Sequence, residues 1–252
     1  MQQSDIVRAI EQNRLFLNIQ PVVSTQTHRP VFYEALLRLR TDDGVIVPAA
    51  DFIEIAEQQN YVYDIDEHAL RLAIGLLERH RAFDLAINIS SLTTADFAWV
   101  RMLDELTTER RQLTRRLLVE ITETAAIADM SRTLLFVDAL RDFGCRVSVD
   151  DFGAGHTNFT NLTLLAPNIV KIDRSYVANY ENANARSFIE AVVELGQTLH
   201  FETVAEGVET EQCAQAVTDL GVTYLQGFLF GEAQEPDVAL APALVNSDQD
   251  RS

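Results

Sequence analysis

The feature that most constrains this chain is a unit that recurs along it: a short aliphatic or β-branched run, then a polar or acidic residue, then a stretch with helical spacing. The runs fall at 31–39, 85–89, 117–121, 146–149, 169–172, 203–204 and 224–230. Unbroken apolar runs of this length suit strands buried on both faces. Helical periodicity covers 64–79, 95–107, 131–143, 183–199 and 210–220, and Gly144 and Gly221 stand where a helix end favours a left-handed residue. Strands alternating with helices predict an α/β fold with a mostly parallel sheet. The 252 residues fit one barrel-sized domain as well as two small ones, and the body of the chain contains no linker. The expectation is a single (β/α)8 TIM-like barrel.

Two details sharpen this expectation. Residues 3–14 have the spacing of an extra N-terminal helix, and 16–23 read as a first strand beside 31–39. The link between those strands is too short for a helical crossover, so the first strand should run antiparallel in an otherwise parallel barrel. The predicted organisation is a helical extension over 1–14, the barrel over 15–236 and an acidic, mobile tail over 237–252.

Charge and cysteine usage narrow the partners. The net charge of −18 opposes binding to nucleic acid polymers or anionic lipid, while a small anionic substrate is allowed where bound cations neutralise it. No apolar run is long enough to span a membrane, and the polar N-terminus lacks a signal peptide's features; both point to a cytoplasmic protein. Cys145 and Cys213 lack zinc-like spacing and read as small buried residues.

Polar residues gather within or just after the C-terminal halves of the runs: Glu34, Asn88, Glu120 with Glu123, Asp150 with Asp151, Lys171 with Asp173, Glu206 with Glu209, and Gln226. In a barrel these ends open onto one face. Carboxylates brought so close repel unless they take up protons or share cations, and hard oxygen ligands suit Mg2+ or Mn2+. A single acid in a βα loop is commonly just a helix cap. Capping does not account for Glu34, Glu120 and Lys171, which lie inside apolar runs where an ionised group needs a partner.

The segment Tyr33-Glu34-Ala35-Leu36-Leu37-Arg38, with Gln20-Pro21 ahead of it, resembles the signature of EAL phosphodiesterases. The order of further motifs strengthens the resemblance: Asn88-Ile89-Ser90, Glu120-Ile121-Thr122-Glu123, Asp150-Asp151-Phe152-Gly153, Lys171-Ile172-Asp173, Ala205-Glu206-Gly207-Val208-Glu209 and Gln226-Gly227-Phe228. The resemblance implies hydrolysis of cyclic di-GMP to linear pGpG with two Mg2+ or Mn2+ ions, Ca2+ being inhibitory. It assigns Glu34, Asn88, Glu120 and Asp150 to the first metal, and Asp150, Asp151 and Glu206 to the second. Lys171 would position and polarise the attacking water, which places it with Glu34 and Glu206 in the catalytic group. Arg38 matches the phosphate contact, Gln20 and Leu36 lie on the nucleotide side, and Gln226, Glu209 and Asp173 support the site. Glu123 matches the acid that steadies the loop after Asp151, and a homodimer is implied.

Departures from the family pattern lie at Ala154 and at His156-Thr157-Asn158-Phe159, in the loop that in the family joins the second metal site to the dimer surface, and at Phe52-Ile53-Glu54 and Asn60-Tyr61-Val62. Two rival readings stay open: a receptor that binds cyclic di-GMP without cleaving it, which the altered loop favours, and a protein-interaction module that retains the barrel. His156 reads as an ordinary loop histidine.

Overall fold

A computed structural model describes residues 3–123, 129–155 and 159–241. In chain order the elements are α1 (Gln3–Glu11), β1 (Leu15–Ser24), β2 (Pro30–Arg40), β3 (Ile46–Pro48), α2 (Ile53–Gln58), α3 (Val62–Arg79), β4 (Asp84–Asn88), α4 (Ala98–Thr107) and β5 (Leu117–Thr122). There follow α5 (Met130–Asp142), β6 (Arg146–Phe152), α6 (Phe159–Leu165), β7 (Ile169–Ile172), α7 (Arg174–Ala178), α8 (Ala183–Leu199), β8 (Glu202–Ala205), α9 (Glu211–Asp219), β9 (Tyr224–Gln226) and α10 (Pro236–Ala239).

Strands β2 and β4 to β9 pair in parallel, and β1 closes the barrel by pairing antiparallel with both β2 and β9. The antiparallel first strand is therefore present, and β3 adds a short antiparallel ribbon to β2. Alternation along each strand sorts the side chains into two sets. Outward residues such as Ala35, Ile87, Val119, Val149 and Ile172 join the main core beneath the helices. Inside the barrel, Val22, Phe32, Ala86, Leu118, Ile169 and Val204 form a separate apolar cluster with Tyr224 against it. Two residues further along β2, β4, β5, β7 and β9, and just past the end of β8, the inward positions become Glu34, Asn88, Glu120, Lys171, Gln226 and Glu206. The pleat thus places an apolar floor directly below a polar mouth.

Helix α1 belongs to the packed body, since Ile6 and Ala9 are fully buried in the main core. Local chemistry sets many helix ends. Asp129, Asp173, Asn182 and Thr210 accept backbone N–H bonds at the starts of α5, α7, α8 and α9. Gly144 and Gly221 follow α5 and α9 at φ of 80° and 90°.

Some boundaries differ from the sequence reading. The run over 224–230 forms a strand only to Gln226. At Gly227 a Cβ would collide with the Val208 carbonyl oxygen, and beyond it the chain bonds to the loop after β8, with Leu229 N donating to Val208 O at 3.2 Å. In the stretch over 95–107 the α-helix begins only at Ala98: Ala95 ends a short 3-10 turn over Thr93–Ala95, and Asp96 accepts from Ala98 N at 2.8 Å. The N-terminal helix stops at Glu11, before Asn13 turns to a φ of 53°. Four short elements, β3, α2, α6 and α7, lack enough periodicity to be read in advance. At the C-terminus α10 is ordered and Leu240 is buried, and the rest of the predicted tail, 242–252, lies outside the described residues.

Candidate metal centre

Strand β7 carries Lys171 into the middle of the mouth, where the side chain is 1% exposed. Its Nζ lies 3.1 Å from Glu34 Oε2, 3.1 Å from Glu120 Oε2, 3.0 Å from Asp150 Oδ1 and 2.8 Å from Glu206 Oε1. An ammonium has three donors, so four carboxylates cannot all be satisfied by it. Asp150 Oδ1, despite its distance, makes no hydrogen bond, and Glu120 Oε1 is buried with no partner at all. One positive charge among four carboxylates also leaves the cluster strongly anionic.

The protonation energetics follow from that imbalance. Burial, reinforced by Glu34, Asp150 and Glu206, holds the Glu120 carboxyl well above the ordinary range. Burial and the charges of Asp150 and Glu34 push Glu206 up to about 8, against the pull of Lys171. Burial alone would raise Glu34 too, but the Lys171 charge and bonds from Gln226, Asn88 and Lys171 bring it below its usual value. For Lys171 burial works against the charged form, and the four surrounding carboxylates overcome it, so the ammonium is held well above its ordinary value.

Asp150 and Asp151 are neighbours on one strand, which should send their side chains to opposite faces. A register shift between Val149 and Phe152, with Asp151 at a φ of 53°, alters this. Two groups of oxygens result, Glu34–Glu120–Asp150 and Asp150–Asp151–Glu206, each with ligand atoms within 4.8 Å of one another. Asp150 belongs to both. Orphaned buried oxygens, excess negative charge and two oxygen sets sharing one carboxylate fit a pair of hard divalent cations.

The remaining predicted residues surround this cluster. Asn88 Nδ2 donates to Glu34 Oε1 at 2.7 Å, and Gln226 Nε2 donates to Glu34 Oε2 at 2.6 Å and to Gln20 Oε1 at 3.2 Å. Gln20 in turn donates to Gly231 O at 3.0 Å. Glu123 accepts from Gly153 N at 3.0 Å, tying the end of β5 to the turn after Asp151. Leu36, Gln20 and Glu209 line a cleft of about 300 Å3 that opens over the cluster. Arg38 continues the Leu36 face of β2 and donates to Leu37 O at 3.0 Å. Asp173 turns to its own helix, accepting from Ser175 N at 2.9 Å. Ala154 is exposed, and the departures at His156, Thr157 and Asn158 lie outside the described residues.

A family profile described as EAL domain matches residues 3–233. The chain belongs to the EAL domain family. It is 31% identical to the bifunctional diguanylate cyclase/cyclic di-GMP phosphodiesterase MucR of Pseudomonas aeruginosa, over 94% of this chain and 36% of that protein. It is 27% identical to the cyclic di-GMP phosphodiesterase PdeF of Escherichia coli, over 90% of this chain and 31% of that protein. The chain spans about a third of the length of these curated relatives. Among solved structures, the cyclic di-GMP complex of the PaMucR phosphodiesterase superposes with a TM-score of 0.88 at 30% identity, covering 94% of this chain and 98% of that one. An EAL domain protein from Listeria monocytogenes superposes at 0.86 with 26% identity, covering 97% and 98%.

This EAL domain also holds site residues that sequence reasoning missed. Asp66 on α3 is 4% exposed and accepts from Ser90 N at 3.0 Å and from the Thr93 hydroxyl, while Glu57 on α2 accepts from Ser90 Oγ at 2.6 Å. Together they brace the turn that follows Asn88. The available signal was an acid set among the apolar positions Ile65, Ala69, Leu70 and Ala73 of one helix.

Proposed function

We propose that this EAL domain is a metal-dependent phosphodiesterase that hydrolyses cyclic di-GMP to linear pGpG. The observation that carries the reading is the buried carboxylate quartet around Lys171, with more acceptor oxygens and negative charge than one ammonium can satisfy. The likeness to MucR and to the PaMucR complex supports cyclic di-GMP as the substrate.

In this reading Glu34, Asn88, Glu120 and Asp150 hold one ion, and Asp150, Asp151 and Glu206 the other. Two Mg2+ or Mn2+ ions supply the charge that activates water and stabilises the leaving oxygen of a phosphodiester. Lys171 stays protonated and donates from Nζ toward water and the charge that develops at the phosphate. Glu34 and Glu206 fix the ammonium through Oε2 and Oε1. Arg38 contacts a phosphate oxygen, and Gln20 and Leu36 shape the nucleotide side of the cleft. Gln226, whose Oε1 is buried without a partner, holds water or a ligand, with Glu209 on the rim. Glu123 keeps the turn after Asp151 in place, and Asp173 anchors the helix that begins just past Lys171.

A cytoplasmic homodimer completes the reading. Exposed Leu135, Phe159 and Leu164 on the neighbouring helices α5 and α6 support self-pairing there. Among the described residues no helix is long and apolar enough to cross a membrane.

The test incubates purified protein with cyclic di-GMP and Mg2+ or Mn2+, separates the products, and repeats the reaction with Ca2+, which is expected to suppress turnover. Linear pGpG should form and be lost in Glu34→Ala and Lys171→Ala. Tight binding without product would select the receptor reading, and no binding the interaction module.

A further inference from the structure

We infer that Arg174 and Phe228 form a second recognition element, which grips the half of the substrate that is not cleaved: Arg174 a phosphate oxygen, Phe228 the face of a nucleobase. The inference rests on the phosphodiesterase reading above. Both side chains line the same cleft, of about 300 Å3, as Glu34, Asp150, Lys171 and Glu206. Neither the guanidinium nor the ring makes a polar or aromatic contact with another described residue. Among the described residues Arg174 makes no hydrogen bond or ion pair, whereas Arg14, Arg116 and Arg146 are each tied to carbonyls or carboxylates. Phe228 is 65% exposed, more than any other exposed large apolar side chain described.

The rim that carries them is built with close tolerances. Gly207 has a φ of +68°, and a Cβ there would fall 2.8 Å from Arg174 Cβ, so its absence lets the arginine stem lie against the loop after β8. Gly227 packs against the Val208 backbone, and Val208 N donates to Gln226 O at 3.0 Å. The cation and the ring are therefore presented from a fixed edge. Past Arg174 a second chamber of about 410 Å3 opens, lined by Tyr180, Thr210 and Cys213, which gives room for the distal part of a dinucleotide. An unpaired guanidinium complements a phosphate, and a bare aromatic ring stacks on any base.

The test is steady-state kinetics of the metal-loaded protein on cyclic di-GMP and on bis(p-nitrophenyl) phosphate, a diester with neither a second phosphate nor a nucleobase. Arg174→Ala and Phe228→Ala should each lower kcat/KM for cyclic di-GMP about tenfold more than for the small diester, chiefly through KM. Arg174→Lys should recover part of that loss. Equal losses on both substrates, or none, overturn the inference. If the wild type binds cyclic di-GMP without turnover, the same tenfold is read in Kd by calorimetry. A wild type that neither cleaves nor binds cyclic di-GMP sinks the phosphodiesterase reading itself, which separates that failure from failure of the rim.

Discussion

The floor and the mouth of this barrel are built from the same strands, two residues apart, and their energetics are opposite. At the floor, Phe32, Ala86, Leu118, Ile169 and Val204 fill the bore with hydrocarbon, and Phe32 meets Tyr224 edge-on at 6.0 Å. At the mouth, Glu34, Asn88, Glu120, Lys171 and Glu206 fill the same bore with charge and hydrogen-bonding groups, including a buried oxygen without a partner. The outward faces of these strands are apolar at both levels and pack alike under the helices. A strand pair can therefore carry an uncompensated site because the next inward layer and the whole outward face stabilise it. Burying unpaired polar atoms costs free energy, and burying aliphatic area returns it.

Four experiments set one end against the other. Replacing Glu120 with Gln should have the largest effect, lowering turnover by about a thousandfold or more. The same change should raise stability in EDTA by about 1–3 kcal/mol at pH 8 and by less at pH 5, read by chemical denaturation. The sign follows from its raised carboxyl: a group of this kind costs nothing below its unfolded value and costs stability as pH climbs through its folded one. A metal-free Glu120→Gln protein less stable than the wild type would remove the contrast between the two ends.

At the floor, Phe32→Ala should cost about 3–5 kcal/mol of stability, as a cavity does, and by the same amount at pH 5 and pH 8. A strong pH dependence of that loss would show that the two layers are coupled. Asp66, beside the mouth, supplies the next contrast. Burial, with the nearby Glu57, pushes its carboxyl up to about 7 against bonds from Thr93 and Ser90. Its contribution is complete below about pH 4 and is lost as pH rises through 7. The wild type should lose on the order of 2 kcal/mol from this group between pH 5 and pH 8, and Asp66→Asn should flatten that slope in denaturation curves. The smallest effect belongs to Asn182→Ala, which removes the cap of α8 from outside both layers. About 1 kcal/mol is expected in melting experiments, with the pH profile unchanged.

Much of this contrast can be read in the sequence, for a physical reason. Strands buried on both faces are written as unbroken apolar runs, so a charged residue inside one, such as Glu34, Glu120 or Lys171, stands out. The run over 224–230 misleads, because hydrophobicity continues past Gln226 while the backbone leaves the sheet at Gly227. Lys171 at the centre of four carboxylates depends on the stagger between strands, which no single run encodes. Nor does spacing reveal that the shift at Asp151 brings two consecutive carboxylates to one site. Asp66 and Glu57 escape because an acid on a helix ordinarily reads as solvent-facing.

The sealed floor carries a consequence for traffic. With Phe32, Leu118, Ile169 and Val204 closing the bore, nothing can pass through the barrel. Among the described residues, the bore is then open at the mouth alone. In the proposed hydrolysis the product must therefore back out along the route by which the next molecule arrives, so egress and arrival compete by construction.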